Sequence, residues 1–315
     1  MRALTIKDTS LEVVERDTPE VGPHDVLVEV HSAGINAADL MQRDGYYPAP
    51  PGWPVDIPGM ELAGVVTEVG DRVVEPLMGR RVCAIVGGGA QAEQCMVPSE
   101  HLLFLPDHVE YERAGGFPEA FTTAYDALVT QGHLKSGQRV LISGATGGVG
   151  VAAVQIAHVL GAEVVAVTRT TEHHERLQAL GATHTILLDE VSARKDVDLV
   201  LELVGAANFE HAQYALSPFG RVVVIGVGVG SRVEVDLLHI MRTRATITGS
   251  TLRSRSREEK AEVARLVSET IIPRWTQGEL GVPLAGVFGL FDAVAAYKFF
   301  AEPGKFGKVV LRVSD

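Results

Sequence analysis

An α/β fold in two domains, one doubly wound and one β-rich, follows from three observations in this chain of 315 residues. Strand and helix patterns alternate from about residue 118 to residue 250, as a parallel doubly wound sheet requires. Short alternating strands separated by turn residues fill residues 1–110. A last strand pattern, GKVVLRV at 307–313, ends the chain and has to pair somewhere, and the β-rich first domain is its expected host. The first domain is therefore expected to be discontinuous, 1–117 with 254–315, and the doubly wound domain to occupy 118–253.

The elements follow in order. VLVEV at 26–30, GVVTEVG at 64–70 and RVCAIV at 81–86 read as strands, with Pro23, Gly34, Gly52, Gly79 and Gly87 to Gly89 as punctuation. Val140 to Ile142 and Val164 to Val167 are apolar, largely β-branched runs, and a helix is expected to start near Val149. Further strands are expected at 185–188, 197–203, 221–225 and 245–248. REEKAEVARLVSETII at 257–272 has helical periodicity, and 290–302 reads as another helix.

Composition bounds the function. Hydrophobic residues make up 46% and charged residues 22%, the balance of a chain with a real core. A net charge of −12 argues against nucleic acid or an anionic membrane as the main partner. The start, MRALTIKDTS, has no apolar stretch of the signal-peptide kind, and no apolar run is long enough to span a bilayer. Cys83 and Cys95 are the two cysteines, so no disulfide framework or cysteine zinc cluster is expected, and a cytoplasmic location is.

The chemistry concentrates in RVLISGATGGVGVAAVQIAHVLGAEVVAVTR at 139–169. Ala145, Gly147 and Gly150 have the spacing of a dinucleotide fingerprint, with Ala in the first glycine slot, and the stretch lies between a strand and a helix. Small residues let the backbone approach a pyrophosphate, and the helix start offers unpaired N–H groups to the anion. Ala145, Thr146, Gly147, Gly148, Val149 and Gly150 are therefore candidate cofactor contacts. A site for NAD usually has Asp or Glu about 20 residues further on. This chain has Thr168, Arg169, Thr170 and Thr171 there, a guanidinium and hydroxyls suited to a 2′-phosphate. NADPH is the expected cofactor.

Over nearly its whole length the chain resembles the medium-chain dehydrogenase/reductase superfamily. Within it the chain is similar to the quinone oxidoreductase branch that includes zeta-crystallin, and more so to the p53-inducible quinone oxidoreductase type. NAADLMQRDGYYPAPPG at 36–52, GGGAQAEQ at 87–94, PEAFTTAYDAL at 118–128 and TLRSRSREEK at 251–260 carry the resemblance, beside GATGGVG at 144–150. It implies a GroES-like catalytic domain, a Rossmann domain, and a site in the cleft between them.

The resemblance also exposes a departure. Where zinc alcohol dehydrogenases of this superfamily place Cys, His and Cys, this chain has Asn36, Met60 and Glu119, and it lacks a four-cysteine lobe. Thioether and amide groups are poor zinc ligands, so no metal is expected. Zinc-free hydride transfer suits an electron-poor acceptor, a quinone or an enone.

By the same resemblance Tyr47, with Tyr46 beside it, is the candidate active-site tyrosine: it either hydrogen-bonds a developing oxyanion, delivers a proton, or simply shapes an apolar lip. Asn36 and Thr123 complete the catalytic candidates. Gly226, Val227, Ser250, Leu252, Arg253 and Lys308 are further candidate cofactor contacts. Gly45-Tyr46-Tyr47-Pro48 also fits enoyl reductases, so reduction of enones or enoyl thioesters stays open, as does cofactor binding without turnover. A homodimer is expected through the segments Arg232 to Asp236 and Ala245 to Thr248.

Overall fold

The computed structural model describes residues 1–314, and they form two compact units: 1–122 with 252–314, and Thr123–Thr251. Fifteen strands run through the described residues. The first unit opens with β1 (Arg2–Lys7), β2 (Ser10–Glu15), β3 (Asp25–Ile35), β4 (Glu61–Val69), β5 (Arg81–Ile85), β6 (Gln94–Pro98) and β7 (Leu102–Phe104). The second unit holds β8 (Arg139–Ile142), β9 (Glu163–Thr168), β10 (His184–Leu187), β11 (Val197–Glu202), β12 (Leu216–Val224) and β13 (Thr246–Gly249). The chain then returns to the first unit with β14 (Leu284–Gly289) and β15 (Lys308–Arg312).

The first unit is built on a seven-stranded sheet in the order β14-β15-β3-β4-β5-β7, with β6 also paired to β3. The terminal strand β15 lies antiparallel to β3, Val310 opposite Gly34, and parallel to β14. Alternation along β3 and β4 turns Val26, Val28, Val30, Leu62 and Val66 into a core shared with Tyr297, Val309 and Leu311. Glycine is required where the sheet crowds. A Cβ at Gly64 would lie 1.9 Å from the Glu29 carbonyl oxygen.

The second unit is a six-stranded, wholly parallel sheet in the order β10-β9-β8-β11-β12-β13. Counted from β8, this is the 3-2-1-4-5-6 order of the Rossmann fold. Such strands are covered on both faces and read as continuous apolar runs, as VLI at 140–142 and VVAV at 164–167 do. Leu141, Val165, Val200 and Val222 meet Phe209 and Ala212 in the core. The strand order reverses between β8 and β11, and the helix Gly148–Val159 starts just past the end of β8.

Between the strands ending at Leu187 and starting at Val197 the chain makes only a 3-10 turn, Leu188–Ala193. The helix expected over 257–272 runs from Arg257 to Thr270 and a second starts at Ile272, where Pro273 suits a first turn.

The packing of helix Gly148–Val159 on β8 depends on Gly150. A Cβ there would lie 2.4 Å from the Gly144 carbonyl oxygen and 2.7 Å from Ala145 backbone atoms. Gly150→Ala should therefore destabilise the protein by about 1–3 kcal/mol, the cost of overpacking a site whose neighbours are backbone. Urea unfolding of the variant beside the parent checks this; equal midpoints would show that the turn can yield.

Candidate active site

In the second unit the turn after β8 is shaped for an anion. Gly144 has φ +59°, and the helix that follows is entered through Gly147, which has no side chain to cap it. A Cβ at Gly147 would meet only the Gly144 carbonyl oxygen, at 3.5 Å, so the glycine keeps clear a space in front of the first helical turn. Ala145 is fully buried, its N–H bonded to the Val167 carbonyl at 3.3 Å, whereas Thr146, Gly147, Gly148 and Val149 lie at least partly open. The turn thus fits a pyrophosphate as the sequence pattern implies.

At the end of β9 the structure divides the four candidates. The Thr168 hydroxyl donates to the Thr170 carbonyl at 2.8 Å and meets His174 Nε2 at 2.8 Å. Its proton is therefore engaged, and Thr168 is not the donor that sequence reasoning makes it. Arg169, Thr170 and Thr171 are exposed, and Arg169 has no ion pair among the described residues.

The switch point holds a residue that sequence reasoning missed. Glu202, at the end of β11, is fully buried and accepts hydrogen bonds through Oε1 from Val204 N (2.7 Å), Gly205 N (2.8 Å) and Ser143 Oγ (2.8 Å). Burial raises its pKa. The Glu202 carbonyl also takes the N–H groups of Ile225 and Gly226. A Cβ at Gly226 would lie 2.2 Å from the Leu203 oxygen, so this loop demands glycine. Glu202 thereby fixes the loops after β11 and β12, which carry Gly226 and the exposed Val227. Ser250 Oγ lies 3.1 Å from the buried Asp126 carboxylate, and Thr123 is buried in the helix Pro118–Tyr125.

In the first unit a buried ion pair organises the catalytic candidates. The Lys308 ammonium lies 2.6 Å from Glu61 Oε1 and donates to Asn36 Oδ1 at 2.6 Å; both charged side chains are within 3% of full burial. Glu61 also accepts from Asn36 Nδ2 (2.8 Å) and, on its other oxygen, from Glu119 N (2.8 Å). One expectation is corrected here. Lys308 does not wait for a cofactor phosphate, because its ammonium is buried and bonded to Glu61 and Asn36. Asn36 has its oxygen and one N–H engaged, which leaves its second N–H to donate. Asp39 sits beside this group, fully buried, accepting from Asn36 N and Gly59 N, and burial pushes it up to about 6.

Tyr47 is held by Arg253. The buried guanidinium donates to Gly87 O (2.8 Å), Tyr47 O (3.2 Å) and Gln42 Oε1 (2.6 Å), and lies 5.2 Å from the centre of the Tyr47 ring. Arg253 is thus a positioning residue of this unit, and its expected role as a cofactor contact is withdrawn. Leu252 beside it is buried and lines a small recess with Ile85 and Leu103. The Tyr47 hydroxyl has no hydrogen-bond partner among the described residues. Burial holds the phenol above its ordinary value, with Arg253 pulling the other way and Glu119 adding to the rise, so it keeps its proton at neutral pH. Tyr46 is 80% exposed.

The metal that many dehydrogenases of this fold carry does not suit this donor set. Met60 offers a thioether and Asn36 an amide whose oxygen already faces an ammonium. No group of three or more His, Cys, Asp or Glu side chains is placed to hold a metal among the described residues.

Comparison with known proteins agrees with this architecture. Residues 22–130 match the alcohol dehydrogenase GroES-like domain and 148–269 the zinc-binding dehydrogenase family. The chain is 30% identical to the mouse synaptic vesicle membrane protein VAT-1 homolog, over 93% of this chain and 77% of that one. It is 29% identical to human quinone oxidoreductase, over 91% and 89%. The solved quinone oxidoreductase of Thermus thermophilus, determined also as its complex with NADPH, superposes with a TM-score of 0.85 and 33% identity over 99% and 100% of the two chains. The chain belongs to the medium-chain dehydrogenase/reductase superfamily, whose members use a nicotinamide cofactor, and its relatives place it with the quinone oxidoreductases. It is an oxidoreductase of that family.

The ion pair gives a direct prediction. Lys308→Met leaves Glu61 buried without its cation and should cost about 3–5 kcal/mol of stability. Lys308→Met with Glu61→Gln removes both charges and should recover part of that loss. Urea unfolding of the parent and both variants reads this, and a double variant no better than the single one would refute the pairing as the cause.

Proposed function

We propose that this protein reduces quinones with NADPH, without zinc. The observation that carries the proposal is the first unit's catalytic group: a protonated, half-buried Tyr47 phenol with an unengaged hydroxyl, beside slots whose residues suit no metal. The bound cofactor supplies a hydride, and the rest falls to this chain. Tyr47 donates a hydrogen bond to the acceptor oxygen on which negative charge develops. Arg253 fixes the Tyr47 ring and backbone, so little reorganisation accompanies that charge. Asn36, locked by Lys308 and Glu61, presents its second amide N–H in one orientation, and Thr123 is assigned to the nicotinamide ribose.

In the second unit the first turn of the helix Gly148–Val159 binds the pyrophosphate through its N–H groups, while the Ala145 and Gly147 N–H groups, bonded to Val167 and Gly144 carbonyls, shape the turn. Gly226, Val227 and Ser250 border the nicotinamide. Arg169, Thr170 and Thr171 take the 2′-phosphate and so favour NADPH over NADH. The protein acts on a small soluble molecule; no helix among the described residues is long and apolar enough to cross a membrane.

Loss of reduced-nicotinamide absorbance tests the proposal, with benzoquinone, phenanthrenequinone and crotonyl-CoA compared, NADPH and NADH in parallel, and a metal chelator present. Quinone turnover with NADPH, insensitive to chelator, is expected. Turnover with crotonyl-CoA alone would move the assignment to enoyl reduction, and binding without turnover would remove the catalytic claim. Arg169→Ala should weaken NADPH by about 1–3 kcal/mol and leave NADH nearly unchanged. Equal losses would show that Arg169 does not read the 2′-phosphate.

A homodimer is part of the same proposal. β13 is an edge strand, and the exposed apolar residues Val235, Leu237, Leu238, Met241 and Ile247 lie on or near it. Sedimentation at micromolar concentration should give a dimer; a monomer would overturn this.

A further inference from the structure

The first unit carries a second concave site, outside the Tyr47 group. A groove of about 350 Å³ runs between the loop Pro50 to Trp53 and the segment Ser254 to Lys260. One wall is apolar, with Pro50, Trp53 and Met96. The Trp53 ring is seated against Gly87, where a Cβ would meet ring atoms at 2.4 Å. The other wall is basic, with Arg255, Arg257 and Lys260. Arg257 is neutralised by Glu100 and by Asp25, the acidic residue lining the groove. Lys260 is half-buried and makes no ion pair within contact distance among the described residues; burial and Arg253 lower its pKa, and Glu119 acts against them from further off.

His101 lies at the same place. It is 5% exposed, and its Nε2 donates to the Arg257 carbonyl at 2.9 Å. Nδ1 is then a bare acceptor, buried and with no partner. His101 and Lys260 also line a small neighbouring recess of about 20 Å³ with Thr122, whose buried hydroxyl is likewise unpartnered. Buried polar atoms are rarely left so, and each such atom calls for an explanation. A cation outside any close ion pair, an acceptor without a donor, and an aromatic wall together define the missing molecule.

We propose that this groove binds a phosphate monoester whose organic part lies on Trp53 and whose phosphate sits between Lys260, Arg255 and His101. The phosphate oxygens accept from Lys260 and Arg255. One proton is shared between His101 Nδ1 and a phosphate oxygen, supplied either by the P–OH of the monoanion or by protonation of the imidazole. In the free protein His101 is held neutral, because burial lowers its pKa and Arg257 and Lys260 act the same way, against the Arg257 carbonyl and Glu100. Binding of the phosphate dianion above neutral pH therefore takes up as much as one proton from solution. The site belongs to the first unit alone and stands whether or not the protein reduces quinones.

Phenyl phosphate is the probe, titrated calorimetrically into the full chain in two buffers of different ionisation enthalpy. Millimolar or tighter binding with proton uptake is expected, and phenol should not bind. Lys260→Gln, at a half-exposed position, should weaken binding about tenfold or more, the loss of one charge-assisted contact. His101→Asn should abolish the proton uptake. No binding, equal binding of phenol, or unchanged affinity in Lys260→Gln would each overturn the proposal; the last would place the probe at the anion turn of the other unit. Uptake that persists in His101→Asn would overturn the assignment of the proton to His101.

Discussion

The candidate catalytic group of the first unit depends on one buried positive charge, that of Lys308. Lys308 comes from the last strand and reaches Glu61 and Asn36 from the first hundred residues. An ammonium and a carboxylate removed from water are tolerable only when paired and hydrogen-bonded on all sides, and here they are. Glu61 engages both oxygens, one on Lys308 and Asn36, the other on the Glu119 backbone. Asn36 and the Glu119 backbone, two of the three slots that the family resemblance sets against zinc ligands, are thus held by a protein cation and its counter-charge. The arrangement supplies fixed geometry rather than an electrophile. Under the proposed function, such a group matches an acceptor that needs no Lewis acid.

The two units solve the same problem in different ways. In the second, Glu202 is a buried carboxylate without a cation; backbone N–H groups and Ser143 hold it, and it in turn fixes two loops at the carboxyl edge of the sheet. In the first, Arg253 is a buried cation without a carboxylate in contact, held by two carbonyls and the Gln42 amide. Both convert the cost of burying a charge into rigid backbone beside a candidate site, since moving the backbone would strand the charge.

What could be read in the sequence was local. The strand, glycine turn and helix at 139–159 are contiguous, so their pattern announced the Rossmann sheet and its anion turn. Alternation announced β3 to β5, and the unpaired final strand announced that the chain returns to its first unit, as β15 beside β3 shows. The engagements of Lys308, Arg253 and Asn36 were not legible. Each joins residues far apart, 272 positions for Lys308 to Asn36 and 206 for Arg253 to Tyr47, and no periodicity records such a meeting. Thr168 was misjudged for a subtler reason: its hydroxyl proton is taken by a carbonyl two residues away, a competition that residue type alone does not reveal.

The pairing of β15 with β3 has a consequence for how the polypeptide is made. During synthesis from the amino end, the first 122 residues emerge without the strand that completes their sheet and without the arginine that seats Tyr47. The second unit, an uninterrupted stretch from Thr123 to Thr251, has all its strands before the ribosome reaches Leu252. The usual order, in which amino-terminal domains mature first, is therefore inverted. The inserted sheet has all its strands in hand while the β3 edge that β15 will cover is still open. Closure of the host then joins ends that the folded insert has already drawn from a random coil into a defined span, which lowers the entropy lost when β15 finds its place.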